Sequence, residues 1–265
     1  MTRLPALLTL AGLAPLWGQT AVPNRTAHLL FASDVADARG VWLNPAALGR
    51  PLFASVTADV TITTPFEDGA EATQWSAAGS SRGLGFAYQH DRLEPEGVRD
   101  TYRVVYGRAL RRTSVGLGLT LHRGTGSGTG GDVGVLHTLT GSLRLAAALS
   151  NIGRPNVGGA PLPLTLRTDA TWLPIAPVSV SGGLVATEDR FEGWAAGATL
   201  RLGGSIPLAV LARVDVPQET ENTRVSFGLT LGRQDAIHVG ATVPRSFEEV
   251  SVLDVSGTST RVIGR

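Results

Sequence analysis

The sequence predicts an all-β chain: a transmembrane, up-and-down antiparallel β-barrel of about 12 to 14 strands, the higher count preferred, preceded by an N-terminal plug segment. Three observations carry this. Apolar residues alternate with small or polar ones in segment after segment, the period of a strand that faces two environments. The connections alternate short and long, as in outer-membrane barrels with short periplasmic turns and longer external loops. Acids gather in the longer connections and leave the apolar face almost free of charge, where an Arg at the bilayer midplane costs about 2–4 kcal/mol.

Composition narrows the class further. Charged residues make up 17% of the 265 residues, against about 25% in ordinary soluble domains. There is no Cys, which excludes disulfides, thiolate metal sites and thiol catalysis. All 23 basic residues are Arg, so neither a Schiff-base lysine nor a P-loop lysine exists. Residues 1–18, with Arg3 ahead of an apolar run ending at Gly18, read as a secretory signal peptide. Removing them takes away one Arg and no acid, which leaves acids and arginines equal in number and speaks against nucleic-acid binding. No later apolar run is long enough for a membrane-spanning helix.

Residues 19–50 are irregular and form the expected hatch. Asn44-Pro45 interrupts the Ala- and Leu-rich stretch around Trp42. The barrel is expected over 51–255. Its first strand places Val56, Ala58, Val60 and Ile62 on one face and Thr57, Asp59 and Thr61 on the other. The alternation returns in Leu84/Phe86/Tyr88, Val115/Leu117/Leu119, Leu143/Leu145, Ala196/Ala198/Leu200, Val225/Phe227/Leu229 and Ile237/Val239, among others. The last strand is read as 247–255, with 256–265 as a polar tail that could lead to a further domain. Tight turns are expected at Ser81, Arg111-Arg112, Thr140-Gly141, Pro174–Pro177, Gly203-Gly204 and Gly232-Arg233. Longer loops are expected at 64–70, 91–99, 123–130, 152–162, 188–192 and 216–222. Aromatics such as Tyr88, Tyr102, Trp172, Trp194 and Phe247 fall near segment ends, as in interfacial girdles.

Parity assigns Asp59, Arg103, His122, Arg144, Arg167, Asp169, Arg201, Arg213, Asp215 and His238 to the lumen. Arg-x-Asp occurs twice on this face, in Arg167/Asp169 and Arg213/Asp215. Such a face is either a polar conduit or an Arg–carboxylate ladder that stiffens the wall, since Arg pairs bidentately with carboxylates. Ser81 sits in a G-x-S-x-G pattern and residues 126–131 in G-x-G-x-x-G, but neither opens a helix, so no catalytic or phosphate site is expected. The five His residues have no metal-ligand spacing. No cofactor, metal or enzyme activity is expected.

The Ala36-Asp37-Ala38 and Asn44-Pro45-Ala46 segments, ahead of a barrel, resemble the long-chain fatty acid transporter superfamily of the outer membrane. Within it the likeness is to the shorter PorV/PorQ-type relatives. Asp132–Val135, Leu143–Leu149 and Ser150-Asn151-Ile152-Gly153 are similar to a strand–turn–strand of those proteins. The resemblance implies a 14-stranded barrel with the Asn-Pro-Ala segment in an N-terminal hatch, so Asp34, Asp37, Trp42, Asn44 and Pro45 become plug residues. The width of such a barrel independently requires a filler, because Gly, Ala and Ser side chains do not fill its interior. Irregular backbone at membrane depth is tolerated when protein shields it. Three functions then compete: passive transport of a small hydrophobic compound, a non-transporting scaffold that binds a secreted or periplasmic protein, and a soluble secreted β-sandwich or adhesin. Outer-membrane lipids are the surroundings in the first two.

Overall fold

The computed structural model describes residues 24–50, 53–63, 70–93, 97–124, 126–157, 159–246 and 250–263. The signal peptide 1–18, the first residues of the hatch, several loop acids and Phe247 lie outside the described residues.

Fourteen antiparallel strands close on themselves. They are β1 (Phe53–Thr63), β2 (Glu71–Ser81), β3 (Leu84–Leu93), β4 (Gly97–Leu110), β5 (Thr113–Gly124), β6 (Gly128–Thr138), β7 (Leu143–Ile152), β10 (Thr165–Ile175), β11 (Val178–Thr187), β12 (Phe191–Leu202), β13 (Leu208–Pro217), β14 (Arg224–Gly232), β15 (Asp235–Pro244) and β16 (Val252–Val262). Between β7 and β10 the chain forms a small hairpin, β8 (Asn156–Val157) with β9 (Ala160–Pro161). Every barrel strand pairs with its neighbour in order, and β1 closes against β16 with Phe53 opposite Val262 and Thr63 opposite Val252. Nine to fourteen residues per strand is the length that crosses a bilayer when tilted.

The two faces follow the sequence period. Leu117 (64% exposed), Phe86, Trp172, Leu184 and Ile237 point outward. A continuous exposed apolar band of this kind belongs in lipid. On the outer face Trp75 stacks edge-on to Tyr88 with ring centroids 5.0 Å apart, and Tyr88 lies 5.1 Å from Tyr102. Tyr88 donates to Asp100 at 2.7 Å. Stacked aromatic rings with one polar tip suit the headgroup level of a membrane.

Two expectations are corrected. The polar tail 256–265 and the last strand 247–255 give way to β16, which takes Val252–Val262 into the wall. Its inward residues Asp254, Ser256 and Thr258 are buried against the lumen. Their polarity is what an inner face demands, and it reads as a tail only when the outer face (Gly257, Ser259) is also small. The strict alternation of short and long connections is also softened. Pairing continues through Arg92 opposite Val98, so the expected loop 91–99 shrinks to residues 94–96. Likewise β5 and β6 run on until residues 125–127 join them.

Residues 24–50 run through the lumen. Asn24 caps α1 (Arg25–His28) by accepting from Ala27 N at 2.8 Å. A second turn, α2 (Gly40–Leu43), leads into a 3-10 turn, Pro45–Gly49, with Pro at its first position, where a missing N–H costs nothing. The apolar core of the molecule lies between this segment and the wall. Ala27, Ala32, Val35, Leu43, Ala46 and Ala47 pack with Leu136 and Ala146, while Ala38, Val41 and Leu48 pack with Ala78, Ala87 and Val105.

Candidate functional site

The seat of the segment is a row of glycines. Gly107 on β4 lies opposite Gly116 on β5, which lies opposite Gly134 on β6 and then Ala148 on β7. A Cβ on Gly107 or Gly116 would overlap the Pro45 backbone, and one on Gly134 would overlap the Asn44 side chain. Absence of side chains on three neighbouring strands therefore makes a trough for Asn44-Pro45. Asn44 is fully buried and its amide is satisfied: Nδ2 donates to Val135 O at 3.1 Å and Ala147 O at 3.0 Å, and Oδ1 accepts from Ala46 N at 2.9 Å. Trp42 is held beside it, because Arg103 donates to its carbonyl at 2.8 Å.

A second tie lies at the short-turn end. The Asp34 carboxylate accepts from Arg201 on β12 and lies 3.6 Å from Arg144 on β7. Asp37 pairs bidentately with Arg39 within the segment. Burial alone would raise the Asp37 carboxyl; the Arg39 guanidinium overrides it and holds the group below its usual value. The Asp34 cluster is half open to water, so its worth is about 1 kcal/mol or less. Asp34→Ala is expected to leave the barrel intact and increase open–closed flickering in planar-bilayer recordings, with the wild type converging on the variant as salt rises. Identical traces at low salt would remove this tie from the account.

A third group of contacts fills the long-loop half. Asp169 accepts from Ala32 N at 2.9 Å. Arg213, 5% exposed, forks onto Asp215 at 2.6–3.0 Å, donates to Leu30 O at 3.0 Å, and stacks 4.5 Å from the Phe31 ring centroid. Asn24 donates to Ser76 at 2.8 Å, and Ser76 donates to Asp59 at 2.5 Å. His28 Nε2 approaches Asp215 Oδ1 at 3.6 Å.

Above these residues, toward the long loops, a cavity of about 580 Å³ is bounded by His28, Arg167, Asp169, Trp194, Asp215 and Arg224, among others. Below it lies a chamber of about 110 Å³ between Trp42, Arg103, His122, Asp132 and Arg167. His28 and Arg167 border both.

Thus the ten residues assigned to the lumen by parity all lie on the inner side, in separate groups. Arg167, Asp169, Arg213 and Asp215 meet at the larger cavity, Arg103 and His122 at the chamber, and Arg144 and Arg201 at Asp34. Asp59 meets Asn24, and His238 stands apart near Leu29 and Arg39. Sequence reasoning missed Asp132, which takes Arg103 at 2.5 Å and Thr120 at 2.9 Å. Its parity with Gly134 and Leu136 was the available signal. It also missed the buried Asp91 and Arg99, 3.6 Å apart, which it placed in a loop.

No family model matches the chain, and no curated protein matches it in sequence. Solved structures do. The CymD monoaromatic hydrocarbon channel superposes with a TM-score of 0.63 at 12% identity, covering 89% of this chain and 95% of that one. The toluene transporter TbuX of Ralstonia pickettii gives 0.56 at 15%, covering 86% and 94%. A FadL homologue of Pseudomonas aeruginosa gives 0.52 at 9%, covering 86% and 95%. The chain has the fold of the FadL-type outer-membrane barrels. Outer-membrane barrels in general have short periplasmic turns and longer external loops, and the larger cavity of this chain lies at its long-loop end.

Proposed function

We propose that this FadL-type barrel is a passive channel for a small, largely hydrophobic compound and that residues 24–50 are its plug. The observation that carries the reading is the division of the lumen. The outer half holds an open cavity of about 580 Å³, and the periplasmic half is filled by Trp42, Asn44 and Pro45 in the glycine trough. A barrel meant only as a membrane anchor has no need of a cavity above a separately seated segment. The hydrophobic character of the cargo is inferred from the fold shared with hydrocarbon channels. The alternative, a non-transporting scaffold for a secreted or periplasmic protein, rests on the PorV/PorQ-type resemblance, and the larger cavity has no part in it.

Deletion of residues 24–49 is expected to leave a folded barrel, judged by heat-modifiable gel mobility, and to raise leak conductance severalfold. Uptake of toluene into vesicles containing the intact protein should exceed that into empty vesicles. Unchanged conductance after deletion would refute the plug, and uptake equal to that of empty vesicles would refute the cargo.

A further inference from the structure

We propose that the short-turn rim from β14 round to β5 binds an anionic phospholipid, its phosphate taken by arginines and one acyl chain laid in a groove on the outer wall. Such a site is independent of whether the barrel conducts.

Charge is sorted between the two ends of the barrel. At the long-loop end both signs occur and pair, Arg154 with Glu188 and Arg190 with Glu192. At the short-turn end Arg82, Arg108, Arg111, Arg112, Arg233 and Arg261 are exposed. Asp235 is the one exposed acid among the described residues of that rim, and Arg261 already holds it at 2.8 Å. The side chains of Arg82, Arg108, Arg111 and Arg112 make no ion pair or hydrogen bond among the described residues. These arginines occupy one arc. The rim from β6 to β13 turns through Thr140-Gly141-Ser142, Ala176-Pro177 and Gly203-Gly204-Ser205, which carry no charge. Arg82 and Arg111 stand at φ 52° and 57°, a left-handed backbone that Gly or Asn adopts at less cost. The turns themselves do not call for arginine, so its use lies in what the guanidinium can hold.

The outer wall above this arc is grooved. Ser259, Val56, Gly79 and Phe86 lie abreast on β16, β1, β2 and β3. The missing side chain of Gly79 opens a groove of about 390 Å³ between Val56 and Phe86, both more than half exposed at 59% and 55%. The next row toward the rim is Arg261, Ala54, Ser81 and Leu84. Arg261 therefore stands at the side of the groove, and Arg82 follows Ser81 in the turn at its foot. Arg108 lies two residues beyond Tyr106, the partner of Leu84. An apolar groove that ends in unpaired guanidiniums fits an amphipathic anion: a chain along Phe86 and a phosphate at the rim. Guanidinium matches phosphate bidentately, and arginines beside a membrane draw anionic headgroups. A free phosphate or an acidic protein would use the arginines and leave the groove idle. In outer membranes the short turns face the periplasm, where the leaflet is phospholipid.

The test titrates the full-length protein in non-ionic detergent with phosphatidylglycerol and with phosphatidylcholine of the same chains, and counts bound lipids by native mass spectrometry. The wild type is expected to bind phosphatidylglycerol about fivefold or more tightly than phosphatidylcholine, the ratio falling as salt rises. Arg82→Gln/Arg111→Gln/Arg112→Gln should bring the two lipids within about twofold of each other. Arg123→Gln, at an exposed arginine of the long-loop end, should keep the wild-type ratio. Gly79→Leu fills the groove, and its new Cβ meets Val56 and Ser55 at ordinary contact distances of 3.8 and 3.9 Å. It should weaken both lipids severalfold and keep their ratio. Heat-modifiable mobility checks that each variant is a closed barrel. Equal binding of the two lipids by the wild type, or an undiminished preference in the triple variant, overturns the proposal. Gly79→Leu binding both lipids as the wild type does overturns the groove as the seat of the chain. Displacement of phosphatidylglycerol by inorganic phosphate or by polyglutamate at equal charge overturns the lipid as the occupant, in favour of a soluble anion or an acidic partner.

Discussion

Gly134→Leu is expected to unseat the N-terminal segment while the barrel still closes. The new side chain takes the volume that the Asn44 amide fills. Overpacking of a tight site costs about 1–3 kcal/mol. Displacing Asn44 also gives up its bonds to Val135 and Ala147, each worth about 0.5–1.5 kcal/mol net. Together these amount to about 2–6 kcal/mol and move the ratio of seated to unseated segment by between about thirtyfold and about twenty-thousandfold. Strand pairing at Gly134 is main-chain and tolerates leucine, so heat-modifiable mobility should persist. Leak conductance should rise toward that of the 24–49 deletion, and protease should cut between residues 24 and 50. Gly141→Leu is the control, since a Cβ there meets nothing within 4 Å. Wild-type conductance together with wild-type protection in Gly134→Leu would sink the trough as the seat.

The second large effect is expected at Arg213. This guanidinium joins the wall to the segment three ways, through Asp215, through Leu30 O and over the Phe31 ring. Arg213→Leu strands the Asp215 carboxylate, and breaking a buried pair costs about 3–5 kcal/mol. Asp215 keeps some access to the outer cavity, which places the cost at the lower end. Arg213→Leu/Asp215→Leu should recover part of the loss, because removing both charges is far cheaper than removing one. The readout is the urea concentration at which the segment becomes protease-sensitive. A single variant as resistant as the wild type, or a double variant worse than the single, would contradict the assignment.

These contacts show which parts of the molecule are legible in a sequence. Strand faces are local: Val56, Val60 and Asp59 declare their sides within seven residues, and the lumen set follows by counting. β16 was read only as far as Val255 because Gly257 and Ser259 supply no apolar beat on the lipid face, so Ser256 and Thr258 looked like a solvated tail. The hairpin β8–β9 escaped because two residues per strand carry no period. The glycine trough is non-local in a stronger sense. Gly107, Gly116 and Gly134 lie at unremarkable places along the chain and become neighbours only through the register of three strands. Asn44-Pro45 could be picked out as special, but not what it rests on. The cavities were hidden for the same reason, since Arg167 on β10 and His122 on β5 are distant along the chain and meet only through the order of the strands.

The closing seam between β1 and β16 joins residues about two hundred positions apart, and bringing such distant ends together carries a loop-closure cost that slows folding. The N-terminal segment offers a way round that cost. Asn44 holds β6 and β7, Ala32 and Leu30 hold β10 and β13, and Asn24 holds β2, so one short stretch touches strands on several sides of the ring. Before the seam is made, the same contacts would gather a curling sheet around a central former, much as a hoop is bent around a mandrel. The piece that fills the finished barrel is then also the template on which its circumference is wound.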